Sequence, residues 1–349
     1  MHSVIHSPLR LALPSKGRPY EDTLTFLDDC GLHVARPNPR QYVASIAALP
    51  DITVVFDHSS EIPEKLRDGT VDVGITGTDS LFERGEEDDE RAAVIMHDLG
   101  FLQANLVIAV PDAWIDVWTI HDLADLSVRF RDRSRTLRIA SDWPNLTRRF
   151  LHRRGIYYVE VIEQPGAVES APTMGYADAV STLTSTGTSL RENRLKTIEG
   201  GLVIDAVQCL VANLESLRRH PEKLESLSTL LEMIEARKAA RGLISIVANV
   251  QGETAEVVAE HIWQRPELAG LQGPTVAPVF SRDRDGCSWY AVTVVVPSDR
   301  LLAAIRHFRE VGGTGITASP ERYVYGRYCL SYQALLGRLR VNSPRDDQR

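Results

Sequence analysis

A run of small hydroxyl residues around one glycine is the part of the sequence best suited to bind an anion. The run reads STLTSTGTSLREN and follows the apolar, strand-like segment YADAV; we call Thr184–Ser189 the phosphate loop. In a strand–loop–helix unit, backbone N–H groups and hydroxyls point toward one place, and the helix N-terminus adds positive partial charge. Gly187 lets the backbone approach a phosphate, while Thr186, Thr188 and Ser189 can donate to it. A hydroxyl-rich turn that caps a helix is the alternative, and no Gly-Lys-Ser/Thr sequence makes the loop a Walker A motif.

Positive charges and turn residues also follow two of the short apolar strands. Lys16 and Arg18 in SKGR come directly after the strand LRLALP, and Thr76, Gly77 and Asp79 in GITGTD end the strand VDVGITG. The carboxyl ends of strands in an open α/β sheet form the edge where ligands bind. Cations there suit the oxygens of a triphosphate or pyrophosphate. Solvated surface charges and a simple turn are the alternatives.

The elements that position these residues alternate between strands and helices. LRLALP, ITVVFD and VDVGITG are short apolar strands, separated by helix-like segments that end in glycine. This order predicts a parallel sheet with helices on its faces. The order restarts after NLVIAVP, which predicts two α/β lobes, the first from residues 1–104 with 195–222 and the second from residues 105–194. A cleft between the lobes is the expected ligand site.

The last third of the chain follows a different order. After the amphipathic helix PEKLESLSTLLEMIEARKAARG, the segments from LISIVANV to TGITAS read strand, helix, strand, strand, helix, strand. This βαββαβ order is that of ferredoxin-like folds, so residues 223–335 are predicted to form a third domain and residues 336–349 a polar tail. By analogy of fold alone, such an appended domain is regulatory or oligomeric.

Composition and charge argue against several classes of protein. The formal net charge is -8, from 39 basic and 47 acidic residues, whereas a general nucleic-acid binder carries a basic face. The four cysteines are scattered without a CxxC pair, which indicates neither a zinc site nor a disulfide framework. No apolar run approaches the roughly 20 residues that span a bilayer, and the start lacks the apolar stretch of a signal peptide. We therefore expect a cytoplasmic protein with neither nucleic-acid nor membrane partners.

Several segments occur in an order typical of one enzyme family: LALPSKGRPYEDTL, SSEIPEKLRDGTVDVGITGTDSL, HDLGF, LRIASDWPNLTRRF, GAVESAPTMGYADAV and TSTGTSLRENRL. Together they resemble ATP phosphoribosyltransferase, and the third region is similar to the C-terminal domain of the long form of that family. The resemblance implies transfer of the 5-phosphoribosyl group of phosphoribosyl pyrophosphate (PRPP) to N1 of ATP, with Mg2+ present and pyrophosphate released, as the first step of histidine biosynthesis. It also implies lobes like those of periplasmic binding proteins, a homo-hexamer, and inhibition by histidine through the C-terminal domain.

The resemblance assigns roles to individual residues. The phosphate loop matches the site for the 5-phosphate of PRPP, and Arg40 and Tyr42 in RQY match a motif near the nucleotide site. Glu169 in GAVESAP would contact substrate or metal and, with Lys16, is expected to be catalytic, although a carboxylate at a helix start is a sufficient structural account. The predicted PRPP-binding residues are Asp178, Thr184, Ser185, Thr186, Gly187, Thr188 and Ser189. The predicted ATP- or pyrophosphate-binding residues are Lys16, Arg18, Arg40, Tyr42, Thr76, Gly77 and Asp79. The predicted regulatory residues are Gly313, Thr314 and Gly315 in GGTGITAS, and the metal ligands are left open.

Two positions depart from the family pattern. Thr182 stands where relatives have an acidic residue suited to the ribose diol, and Asp178 lies four residues earlier. GFLQANL replaces the family's GFGxCRL, so Asn105 stands in place of an arginine. Two alternative hypotheses therefore remain: a PRPP-dependent transferase with another acceptor, and a sensor that binds a small molecule without catalysis.

Overall fold

The computed structural model describes residues 7–38, 40–85, 89–280 and 288–341. The strands, in chain order, are β1 (Leu9–Pro14), β2 (Val34–Ala35), β3 (Val43–Ile46), β4 (Leu49–Asp57), β5 (Val73–Gly77), β6 (Ala93–Met96), β7 (Ala104–Pro111), β8 (Leu137–Ser141), β9 (Val159–Glu163), β10 (Ala179–Thr184), β11 (Leu195–Ala206), β12 (Gln208–Ala212), β13 (Leu243–Gln251), β14 (Thr275–Val279), β15 (Trp289–Pro297) and β16 (Thr314–Pro320). The α-helices are α1 (Gly17–Asp29), α2 (Ile62–Arg67), α3 (Thr78–Glu83), α4 (Ile120–Asp132), α5 (Pro144–Arg153), α6 (Ala171–Met174), α7 (Thr188–Glu192), α8 (Leu214–Arg219), α9 (Leu224–Ala239), α10 (Ala255–Trp263), α11 (Leu301–Glu310) and α12 (Leu330–Val341).

The first lobe is built on a seven-stranded sheet in the order β2-β3-β4-β1-β5-β12-β6. β4, β1 and β5 run parallel, and β12 runs antiparallel to β5 and β6. β1 and β5 are buried almost throughout, as expected for apolar strands that are covered on both faces. Because the three strands run in the same direction, their carboxyl ends, at Pro14, Asp57 and Gly77, lie on one edge of the sheet.

The second lobe is built on a five-stranded sheet in the order β11-β7-β10-β8-β9. β10, β8 and β9 are parallel, so they too share a carboxyl edge. α4 begins with a capping box, in which Thr119 and Asp122 each bond the backbone N–H of the other. α5 begins with Pro144, whose missing N–H is not needed at a first helical position.

The boundary predicted between the lobes is wrong for one strand. The residues of β11 were expected in the first lobe, but β11 pairs antiparallel with β7 from Leu195↔Pro111 to Ala206↔Ala104. The chain therefore returns to the first sheet only at β12. Thr78 fixes this crossing, because its Oγ1 accepts a hydrogen bond from the Val207 N–H at 3.1 Å and donates to the Asp205 carbonyl at 3.2 Å.

The C-terminal domain has the predicted order of elements. A compact unit of residues 233–328 contains β13, α10, β14, β15, α11 and β16, with the sheet order β14-β15-β13-β16. Inward-facing side chains such as Ile246, Val292 and Val294 pack with Val258 and Phe308 of the helices. Two α/β lobes and a βαββαβ domain confirm the predicted fold class.

The end of the described chain is a helix and not the predicted tail. α12 includes residues 336–341, which were expected to be a polar tail, while residues 342–349 lie outside the described ranges. Residues 329–341 belong to the same compact unit as the two lobes. Arg338 donates to the Val94 carbonyl at 2.8 Å, and Arg218 donates to the Leu339 carbonyl at 3.3 Å. Among the described residues, no helix is both long enough and apolar enough to cross a membrane.

Candidate active site

The phosphate loop lies at the carboxyl edge of the second sheet, between β10 and α7. Gly187 has a φ of +71°, a left-handed conformation that favours glycine, and its N–H donates to the Thr184 hydroxyl at 3.0 Å. The hydroxyls of Thr186 and Thr188 are 3.0 Å apart. Exposed side chains in the loop are those of Ser185, Thr186, Thr188 and Ser189. The loop thus presents a cluster of hydroxyls to solvent.

Arg191 in α7 is a cation beside the phosphate loop that the sequence alone did not single out. Its Nη1 donates to the Thr186 carbonyl at 3.1 Å, and its Nη2 donates to the Thr188 hydroxyl at 3.1 Å. Because the Thr188 oxygen accepts from a guanidinium, its own proton can be donated to the Thr186 hydroxyl or to a ligand. The available signal was an arginine within one helical turn of a hydroxyl-rich loop.

Two carboxylates lie near the same edge. The Thr182 hydroxyl donates to Oε1 of Glu169 at 3.1 Å, and Oδ1 of Asp142 accepts from the Gly166 N–H at 2.8 Å. Burial raises the pKa of Asp142, and the negative charge of Glu169 raises it further. Glu169 therefore supplies a carboxylate beside position 182, where the family pattern has an acidic residue. Asp142, in SDWPNL, is a candidate that sequence reasoning missed.

Asp178 does not belong with the phosphate loop. It precedes β10, so it is separated from Thr184 by the whole strand, about 20 Å at the usual rise per residue. Its Oδ2 accepts from the Arg138 backbone N–H at 2.9 Å and from the Arg138 Nε at 3.2 Å. The prediction that Asp178 binds PRPP is therefore wrong, and its carboxylate stabilises the pairing of β8 with β10.

The first lobe brings several predicted nucleotide-site residues to its own carboxyl edge. Lys16 precedes α1 and is exposed, and Arg18 in the first turn pairs with Asp22 at 3.2 Å. The exposed Tyr42 lies beside the end of β4, where its carbonyl accepts from the Phe56 N–H at 2.9 Å. Arg40, two residues earlier, is also exposed. These polar and cationic side chains are exposed, so a ligand can reach them on this edge.

The predicted residues after β5 have structural partners. Thr76 is fully buried, and its hydroxyl donates to the Ser59 carbonyl at 3.0 Å. It therefore supports a neighbouring loop, although it was predicted to face the ligand. A Cβ at Gly77 would lie 2.1 Å from Oδ1 of Asp79, so the glycine makes room for that carboxylate. Burial raises the pKa of Asp79, while N–H donors of Asp79 and Ser80 and the Trp143 side chain oppose the rise.

The two carboxyl edges share one cavity. Its volume is about 480 Å³, with Ser60 and Ser80 among the first-lobe residues that line it and Asp142 and Glu163 among those of the second lobe. Ser60 follows β4 and Ser80 follows β5, whereas Asp142 follows β8 and Glu163 ends β9. The cleft predicted between the lobes is therefore present, and carboxyl ends of strands from both sheets line it.

The arginine missing at position 105 has no direct substitute there. Asn105 lies in β7, paired with Thr184 at the start of the phosphate loop. In the amide orientation that gives both its oxygen and its nitrogen suitable partners, the Asn105 side chain donates to Oδ1 of Asp205 at 3.1 Å. Asn105 is thus engaged with β11, and the nearest cation described beside the loop is Arg191.

The predicted regulatory residues lie at an edge strand of the C-terminal domain. The Gly313 N–H donates to the Phe308 carbonyl at 2.6 Å and ends the turn after α11. Gly315 in β16 has a φ of +59°, and a Cβ there would lie 3.4 Å from Nδ2 of Asn249. The pairing of β13 with β16 shifts register between Val247 and Asn249, which marks a bulge opposite Thr314 and Gly315.

Comparison with known proteins identifies the family. Residues 58–235 match the family model HisG, described as ATP phosphoribosyltransferase, and residues 240–320 match HisG_C, described as the C-terminal domain of HisG. This chain belongs to the ATP phosphoribosyltransferase family. The enzyme class and the long form predicted from the motifs are confirmed, and with them a place at the first step of histidine biosynthesis.

Relatives of this ATP phosphoribosyltransferase match along most of its length. ATP phosphoribosyltransferase 2, chloroplastic, from Arabidopsis thaliana is 39% identical over 337 residues, which cover 95% of this chain and 80% of that protein. The ATP phosphoribosyltransferase of Nitrobacter hamburgensis is 33% identical over 323 residues, which cover 92% of this chain and 95% of that protein. A chain of the ATP phosphoribosyl transferase (HisG:HisZ) complex from Thermotoga maritima is similar in structure, with a TM-score of 0.50 and 28% identity, over 65% of this chain and 98% of that chain.

Thr182→Val should lower turnover of this ATP phosphoribosyltransferase. Valine keeps the shape of threonine but removes the donor to Glu169, and a hydrogen bond to a charged group contributes about 1.5–3 kcal/mol, roughly a tenfold effect or more. Steady-state kinetics with PRPP and ATP would measure the loss. Thr182→Ser is the matched control, because it keeps the hydroxyl and should retain most of the activity. Wild-type turnover in Thr182→Val would show that this contact does not position Glu169.

Proposed function

We propose that this chain transfers the 5-phosphoribosyl group of PRPP to N1 of the adenine of ATP and releases pyrophosphate. The supporting observation is that polar and cationic side chains lie at the carboxyl edges of both sheets. The second lobe contributes the hydroxyl-rich phosphate loop with Arg191, which suits the 5-phosphate of PRPP. The first lobe contributes Lys16, Arg18, Arg40 and Tyr42 near the carboxyl ends of β1 and β4, which suits the phosphates and base of ATP.

The reaction needs positioning more than proton transfer. Adenine N1 is a neutral nucleophile, so the N1–C1′ bond forms as the C1′–oxygen bond breaks, and the electron pair leaves with pyrophosphate. Positive charge develops on the ribose ring and negative charge on the leaving group. Glu169 and Asp142 can stabilise the former, while Lys16 and Arg18 can stabilise the latter. This accounts for the lack of a catalytic triad or an evident general base among the described residues of the site.

The donor set suits Mg2+ held jointly by protein and substrate. Asp142 and Glu169 are close enough for the charge of one to raise the pKa of the other, an arrangement that favours a bound cation. Over the described ranges, no group of three or more His, Cys, Asp or Glu side chains could hold a metal alone. Mg2+ commonly uses one or two carboxylates together with substrate phosphates. When bound, Mg2+ would neutralise charge on the departing pyrophosphate.

A direct assay tests the proposed function. Purified protein is incubated with ATP, PRPP and Mg2+, and phosphoribosyl-ATP and pyrophosphate are quantified together. We expect equal amounts of the two products, both dependent on ATP. Pyrophosphate release with another acceptor in place of ATP would support the divergent transferase. Saturable PRPP binding without any turnover would support the sensor and contradict a transferase.

We also propose that histidine inhibits the enzyme through its C-terminal domain and that the enzyme is a homo-hexamer. The bulge at Thr314 and Gly315 brings the backbone close to Asn249. The backbone N–H and carbonyl groups and the Asn249 amide could together bind an amino acid. An inhibitor must bind one conformational state better than the other, so histidine and substrate should weaken each other's binding equally. Light scattering would measure the oligomeric state.

A cytoplasmic location stays a prediction, and two relatives are named as chloroplastic.

Gly315→Val should abolish inhibition by histidine while leaving turnover intact. At a φ of +59° a β-branched residue is strained, and its Cβ would lie 3.4 Å from the Asn249 amide, so the bulge must rearrange. We expect the histidine concentration for half-inhibition to rise more than about tenfold, the effect of roughly 1.4 kcal/mol. Gly242→Val is the control, since Gly242 has a φ of +73° in the same domain and a Cβ there would lie 3.9 Å from the Ser298 hydroxyl, an ordinary contact distance. Equal sensitivity of both variants to histidine would contradict this location.

A further inference from the structure

The two lobes meet where α3 ends and α5 begins. Oε1 of Glu83, the last residue of α3, accepts from the Asn145 N–H at 2.8 Å, and Oε2 accepts from the Leu146 N–H at 2.9 Å. Both donors are in the first turn of α5, where N–H groups have no partner within the helix. Glu83 of the first lobe therefore caps a helix of the second lobe, and its negative charge suits the positive end of that helix.

The second lobe makes the reverse contact. Arg149 of α5 donates through Nη1 to the Gly85 carbonyl at 3.2 Å and through Nη2 to the Phe82 carbonyl, both at the C-terminal end of α3. The Asn145 side chain adds a hydrogen bond to the Glu83 carbonyl at 3.2 Å. A cation at a helix C-terminus is as favourable as an anion at an N-terminus. Each helix end is thus satisfied by a side chain of the other lobe.

These contacts are directional and partly removed from water. Leu146 is buried, and Arg149 and the Glu83 carboxylate are partly buried, which makes their hydrogen bonds more costly to lose than those of exposed pairs. Burial raises the pKa of Glu83, while the Leu146 and Asn145 N–H groups and the nearby arginines oppose the rise. Five hydrogen bonds, four through the Glu83 and Arg149 side chains and one from the Asn145 amide, leave little freedom for one helix to slide past the other.

We propose that Glu83 and Arg149 form an interlobe clamp that fixes the orientation of the lobes and so aligns the two substrates. The inference rests on the proposed function, in which PRPP and ATP are held on different lobes. Glu83 lines the shared cavity, but both of its carboxylate oxygens accept from N–H groups of α5, and Arg149 donates to backbone carbonyls, so both are positioning residues. Misalignment of reacting atoms by about 1 Å can cost a hundredfold in rate, even when each substrate still binds its own lobe.

The test separates alignment from binding. Glu83→Ala and Arg149→Ala should each lower kcat by about tenfold to a hundredfold, while calorimetric Kd values for PRPP alone and ATP alone stay within about twofold. Glu83→Gln keeps an accepting oxygen and should lose less. In the double variant, the fall in kcat should be smaller than the product of the two single-variant falls, because each substitution breaks the same clamp. Arg153→Ala is the matched control: it removes an exposed charge from the same helix and should keep wild-type kcat.

A distance measurement tests the clamp independently of activity. Spin labels at Thr25→Cys in α1 and His121→Cys in α4 report the separation of the lobes, with unsubstituted protein labelled in parallel to subtract native thiols. Glu83→Ala should broaden or shift the distance distribution. An unchanged distribution, or Kd values that rise as much as kcat falls, would overturn the clamp. Absence of transferase activity in the wild type would instead defeat the proposed function, and the distances would still decide on the clamp.

Discussion

Gly187→Val should weaken PRPP binding by more than about a hundredfold in a protein that remains folded. A non-glycine residue in the left-handed region costs about 1–2 kcal/mol, and a β-branched residue costs more. The φ of Gly187 is +71°, and an added Cβ would lie 3.2 Å from Nη1 of Arg191. Because the loop is exposed, it can relieve this strain by changing shape, which moves Thr186 and Thr188 away from the phosphate. Titration calorimetry with PRPP would measure the loss, with ATP affinity unchanged.

A second glycine separates loss of the site from backbone strain. Gly155 has a φ of +73° in the same lobe and open space around its Cβ position. Gly155→Val should therefore carry a similar conformational cost without affecting PRPP. If Gly187→Val folds and binds PRPP as the wild type does, the phosphate loop is not the 5-phosphate site. If both variants lose PRPP equally, the loss is one of stability and does not locate the site.

Asp72→Ala should destabilise the first lobe by about 3–5 kcal/mol, the usual result of leaving a buried charge without its partner. Asp72 is fully buried, and its carboxylate accepts from Lys223 at 2.9 Å, Ser216 at 2.7 Å and the Arg10 N–H at 2.9 Å. Lys223 is itself buried and would lose its counterion. Thermal unfolding should show a fall in Tm of roughly 10 °C. Glu215→Ala, which removes an exposed i,i+4 partner of Arg219, is the control and should change Tm little.

The same carboxylate predicts a dependence of stability on pH. Burial alone would raise the pKa of Asp72, but hydrogen bonds from Arg10, Lys223 and Ser216 outweigh it and lower the pKa from 3.8 to about 2. Because the pKa of Asp72 is lower in the folded state than in the unfolded state, its ionised carboxylate stabilises the folded state at pH values above about 4. This stabilisation is lost as the pH falls from about 4 toward 2. The shift corresponds to roughly 2 kcal/mol. Denaturant unfolding of wild type and Asp72→Asn should therefore converge as the pH approaches 2. A constant difference between them over that range would contradict the ionised network.

The sequence by itself determined the features that depend on neighbouring residues. The strand LRLALP, the glycine-centred phosphate loop and the βαββαβ order of the C-terminal domain all arise from local periodicity and turn residues, and each lies where it was predicted. The exposed position of Lys16 at a sheet edge follows from the same local order, because the loop after a parallel strand emerges at its carboxyl end. Tyr42 precedes β3 and was predicted from the family resemblance alone. Family membership was also readable, since it depends on the succession of motifs.

Only the tertiary structure decided which distant residues meet. β11 has a sequence compatible with either lobe, and its pairing with β7 placed it in the second. Asp178 is close to the phosphate loop in sequence but a full strand away in space. Glu169 is thirteen residues from Thr182 in sequence, and yet the two side chains are hydrogen-bonded. Glu83 and Arg149 lie 66 positions apart, and no periodicity links them. Strand partners, ion pairs and helix caps between lobes depend on how the whole chain packs, because side chains far apart in sequence gain their hydrogen bonds only after burial brings them together.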